Sequence, residues 1–88
     1  MKLVAVKNIQ FSKLIKINGK LKEFNFRKPN RNDDSNFTVD VLDERGDRII
    51  FHMEKSEGKW VIVQGELPDW IAGKEDALND VIINDLDL

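Results

Sequence analysis

This 88-residue chain has a single histidine, His52. Strand spacing sets Thr38 directly across from it and Asp40 on the diagonal, so a base and an orienting carboxylate stand near each other, the minimum for general acid–base work. The nucleophile is missing from that arrangement. Ser56 falls in a tight turn, Ser35 in a loop, and no register places Ser12. The expectation is a surface histidine, no catalytic residues and no enzyme.

Metal chemistry fails in a similar way. Asn30, Asn32, Asp34 and Asn36 alternate as the first ligands of a calcium loop do, but Ser35 stands where the turn glycine belongs and Val41 where a bidentate glutamate belongs. With no cysteine there is no thiolate ligand, disulfide or cysteine nucleophile. No metal site and no cofactor are expected.

The stretch KEFNFRK, residues 22–28, carries a sharper question. In a strand Lys22, Phe24, Phe26 and Lys28 share one face, and rings between cations are what a platform for single-stranded nucleic acid needs. Lys13, Lys16, Lys20, Lys22, Arg27, Lys28 and Arg31 would then hold phosphates while Phe24 and Phe26 stack on bases. The competing reading puts both rings in the core, and it is favoured because a domain this small, with five phenylalanines, can hardly leave two outside.

Trp60 and Trp70 pose the same choice between core and interface. On the interface reading, Ile50, His52, Trp60 and Ile62 form a mixed sheet face with Trp70 nearby. That face would serve an unknown protein partner or self-association.

These residues depend on the elements that carry them. FTVDVLDERGDRIIFHMEKSEGKWVIV alternates like strands three times over. Glu44-Arg45-Gly46 and Ser56-Glu57-Gly58 each fit a three-residue hairpin loop with glycine in the left-handed region. Pairing Asp43 with Asp47 sets Val41 against Ile49, Val39 against Phe51 and Phe37 against Met53. Pairing Lys55 with Lys59 sets Met53 against Val61 and Phe51 against Val63, leaving Trp60 and Ile62 on the other face.

Upstream, Asn18-Gly19 is a strong hairpin signal. A two-residue turn sets Ile17 against Lys20 and Ile15 against Lys22, a bulged turn sets Ile15 against Leu21, and the pattern admits both. Leu3 to Val6 suggests a further short strand, and residues 28–36 hold no apolar side chain and read as a loop. Downstream, Pro68 opens one helical turn, Gly73 ends it, and Leu78, Val81, Ile82 and Leu86 mark an amphipathic helix over 74–86.

Around GKWVIVQGELPDWI, residues 58–71, the chain resembles in outline small uncharacterised bacterial single-domain proteins with a terminal helix after a β-meander. The resemblance covers the last third. It implies a bacterial, stand-alone, non-enzymatic module and carries over no site residues.

Charge is lopsided. Residues 1–31 carry nine basic groups and one acid, the other 57 residues five basic and fifteen acidic groups, for a net of −2. A basic hairpin facing an acidic end within one fold explains this, as does an electrostatic surface for phosphate. The apolar run before Lys7 is too short for a signal segment and nothing approaches a membrane span, so a cytoplasmic protein is expected.

The expected fold is α+β in one small domain, 1–88: a twisted antiparallel meander of five or six strands, free to curl into a half barrel, packed by a C-terminal helix. The expected function is a small non-catalytic protein-interaction module; the alternative is a binder of single-stranded nucleic acid working through the basic N-terminal third.

Overall fold

The computed structural model describes residues 9–28, 36–63 and 66–86. Among these residues five strands run in chain order across one antiparallel sheet: β1 (Ile9–Ile17), β2 (Lys20–Lys28), β3 (Asn36–Leu42), β4 (Arg48–Ser56) and β5 (Lys59–Ile62). Two helices follow, α1 (Asp69–Ala72) and α2 (Glu75–Leu86). The fold is therefore α+β, with the sheet curled as a half barrel. The candidate strand Leu3 to Val6, and all but the ends of the loop at 28–36, lie outside the described residues.

The first hairpin takes the two-residue option. Asn18 (φ 50°) and Gly19 (φ 85°) both lie in the left-handed region, which makes a type I′ turn and pairs Ile17 with Lys20 and Ile15 with Lys22. The β3–β4 hairpin has the expected register throughout, with Val41 on Ile49, Val39 on Phe51 and Phe37 on Met53. Its loop is fixed by Asp43, whose Oδ1 accepts hydrogen bonds from the amides of Arg45 and Asp47, both at 2.9 Å.

The β4–β5 hairpin differs by one residue from the sequence expectation. Glu57 (φ 52°) and Gly58 (φ 81°) form a second two-residue turn, so Ser56 pairs with Lys59, Lys55 with Trp60, Glu54 with Val61 and Met53 with Ile62. Because side chains alternate along a strand, this slip turns β5 over. Trp60 and Ile62 face inward while Val63 is exposed. Holding glutamate in the left-handed region costs roughly 1–3 kcal/mol. The inward pair offsets this, since Trp60 and Ile62 carry more apolar area than Val61 and Val63.

The core lies on one face of the sheet. It gathers Ile15 and Ile17 from β1, Phe24 and Phe26 from β2, Phe37, Val39 and Val41 from β3, Phe51 and Met53 from β4, and Trp60 from β5. Ile71, Leu78 and Ile82 join it from the helices. Aromatic contacts run through its centre, with Phe11 stacked on Phe26 at 4.8 Å and Trp60 edge-on to Phe37 at 5.1 Å. Pro68 opens α1 as expected, its carbonyl accepting from the amides of Ile71 and Ala72 at 3.0 Å.

Candidate interaction surface

The structure divides the residues proposed as one mixed face. Ile50 and His52 are exposed on the outer face, whereas Trp60 is only 2% exposed and Ile62 is half-buried on the inner face. The turned-over β5 is the reason. Trp70 lies apart on α1, half-buried, with Lys22 Nζ 5.3 Å from its ring centre. His52 does sit opposite Thr38 as expected. Asp40, however, is committed elsewhere, to Asn25 and Arg27.

The nucleic-acid set is also dispersed. Phe24 and Phe26 are fully buried, so neither can stack on a base. The core reading of KEFNFRK is correct, and the alternation of β2 explains it: its inward positions are Lys22, Phe24, Phe26 and Lys28. Among the described residues no phenylalanine or tryptophan ring is fully exposed, Phe11 and Trp70 being half-buried. Lys13 reaches Asp85 of α2 at 3.9 Å, Arg27 reaches Asp40 at 3.7 Å, and Lys28 is buried. Lys16 and Lys20 stand exposed on the hairpin, and Arg31 lies outside the described residues.

A polar row that the sequence did not signal crosses the outer face. Ser12 donates to Asn25 at 2.6 Å and Asn25 donates to Asp40 at 2.9 Å, joining three neighbouring strands. Every residue of this row bonds to the next, so its visible task is to hold β1, β2 and β3 in register.

The two edges of the sheet supply the main asymmetry. In a two-residue hairpin the pair flanking the turn exchanges both backbone bonds, and bonding then alternates along each strand. On β5 this leaves the amides of Trp60 and Ile62 pointing away from β4. Helix α2 meets both: Trp60 N donates to Asn79 Oδ1 and Ile62 N to Glu75 Oε2, each at 2.8 Å. Residues four apart on a helix lie about 6 Å apart along its axis, close to the two-residue step of a strand, so one helix face can cap alternate amides. Lys59 adds an ion pair to Asp76 at 2.7 Å, and this bond raises its pKa above the ordinary 10.5.

On β1 the same alternation sends the amides of Gln10, Ser12, Leu14 and Lys16 away from β2. Among the described residues none of the four has a partner. β2, moreover, is paired with β3 only at Asn25–Arg27, so the turn half of the first hairpin runs on beyond that pairing. There Leu14 and Leu21, each 62% exposed, lie on the outer face as diagonal neighbours. The described hairpin, residues 9–28, holds six basic side chains and one acid, Glu23.

Near the hairpin tip, Ile17, Lys20, Lys22, Asp43, Glu44 and Trp70 border a cleft of about 390 Å³. Charges of both signs line it, and Lys22 already covers the Trp70 ring. Among the described residues no helix is long and apolar enough to cross a membrane and no cluster of ligating side chains could hold a metal ion. Comparison with protein-family models, curated proteins and solved structures returned no match to this chain.

Proposed function

We propose that this protein is a small non-catalytic interaction module whose working surface is the open β1 edge and the hairpin that carries it. One observation carries the reading: α2 caps the outward amides of β5, while those of β1 are left without partners among the described residues. A nine-residue strand with unpaired backbone groups is a template for another strand. Natural sheets blunt such edges, and this one does so at β5.

Single-stranded nucleic acid fits the positive hairpin by charge, but the described hairpin offers no fully exposed ring on which a base could stack. The two are separated by selecting displayed random peptides on the wild type and rejecting those that also bind Leu14→Pro, in which an outward amide is lost. Enriched extended peptides that shift the β1 amides would support the reading. Peptides that bind both proteins equally would overturn it, as would an oligonucleotide that moves the hairpin amides at low salt and loses this effect at moderate salt.

A further inference from the structure

Resting on that reading of the β1 edge, we infer that its partner is an extended acidic segment of another protein, added antiparallel beside β1 with apolar residues facing Phe11 and Ile15 and acidic residues facing Lys13 and Lys16. Three observations define the partner. The outward amides of Gln10, Ser12, Leu14 and Lys16 set the register of the added strand. The inner-face side chains at this edge include Phe11, half-buried, and Ile15, both packed in or against the core, so an added strand extends the core row by placing apolar groups beside them. On the outer face Leu14 is exposed and Lys16 has no partner among the described residues.

Charge decides the occupant. The described hairpin carries a net +5. A second copy pairing through β1 would set two such hairpins side by side, and like charges facing each other across a strand pair are destabilising. An acidic strand meets attraction instead. Lys13 also stays open to a partner, its side chain 49% exposed and its contact with Asp85 long at 3.9 Å.

Written against Lys16, Ile15, Leu14, Lys13, Ser12 and Phe11 in turn, a matching segment reads Glu-Val-Leu-Glu-Thr-Val. Its glutamates face the two lysines, its leucine faces Leu14, and its valines face Ile15 and Phe11.

The test titrates isotope-labelled protein with this hexapeptide, capped at both ends, and in parallel with Lys-Val-Leu-Lys-Thr-Val. The expected result is shifts centred on the amides of Gln10, Ser12, Leu14 and Lys16, with the acidic peptide binding more tightly. Lys16→Glu should weaken that binding roughly three- to tenfold. Leu14→Pro should abolish it, because proline removes an outward donor that has no partner among the described residues. Should Leu14→Pro fail to fold, Lys16→Glu at an exposed position still decides. Equal binding of both peptides at β1 would overturn the acidic partner and leave the open edge standing. Shifts of the β1 amides that grow with protein concentration alone would replace the partner by a second copy. No response of β1 to either peptide would overturn the edge reading as well.

Discussion

The two edges of this sheet solve the same backbone problem in opposite ways. At β5 the outward amides of Trp60 and Ile62 are met by Asn79 and Glu75 from α2, and the strand is anchored by Trp60 in the core. At β1 the strand is more than twice as long, nine residues against four, yet its outward amides are unmatched among the described residues. Helix α2 lies along β5 and not along β1. Asp85 of α2 approaches β1 only as far as the ammonium of Lys13. The difference lies in where the helix runs and in what it carries: beside β5 an asparagine and a glutamate four apart supply acceptors at strand spacing.

The largest test of this contrast is apolar. Trp60→Ala should destabilise the protein by about 3–5 kcal/mol in urea unfolding, since it empties a core position beside Phe37. Leu14→Ala, at an exposed site on the other edge, should change stability by about 0.5 kcal/mol or less. Comparable losses at the two positions would show that the hairpin is as tightly packed as β5.

Next come the caps. Asn79→Ala leaves the Trp60 amide without its acceptor and should cost about 1–3 kcal/mol. Glu75→Gln keeps an oxygen for Ile62 and should cost less than Glu75→Ala in the same assay. A smaller effect is expected where the edge is open: Leu14→Pro should lower stability by about 1 kcal/mol or less, because the lost amide bonds to nothing in the fold among the described residues.

The smallest effect concerns Lys59, whose pKa is raised above 10.5 by its bond to Asp76. A group with a raised folded pKa contributes fully below its unfolded value and loses that contribution as pH rises through the folded value. Thermal unfolding at pH 9 and pH 11 should therefore show a slightly larger drop for the wild type than for Lys59→Met. Equal drops would mean that the exposed pair adds nothing to the α2 contact.

The edges also show how far the sequence was legible. Strict alternation fixed the register of β3 and β4, and Pro68 and Gly73 bracketed α1. The next hairpin was misread because Ser-Glu-Gly looks like Glu-Arg-Gly. What separates the two loops is the residue before each. Asp43 accepts two loop amides and so fixes a three-residue loop, whereas Lys55 has only donors to offer. That signal was present, and it decides whether Trp60 points to the core or to solvent. The burial of Phe24 and Phe26 followed from size and composition. The closed edge, by contrast, was out of reach: Asn79 and Glu75 become caps only once β5 is in register and α2 lies along it, and neither is written in local pattern. The open edge followed the same logic, since an unpaired strand is a property of the assembled sheet.

Amide hydrogen exchange on the isolated protein tests the central claim most directly. The account predicts that Gln10, Ser12, Leu14 and Lys16 exchange rapidly and independently of global stability, while Trp60 and Ile62 exchange slowly, as do the inward-bonded residues of both strands. Slow exchange at the four β1 amides in dilute solution would contradict it, because that edge would then be closed.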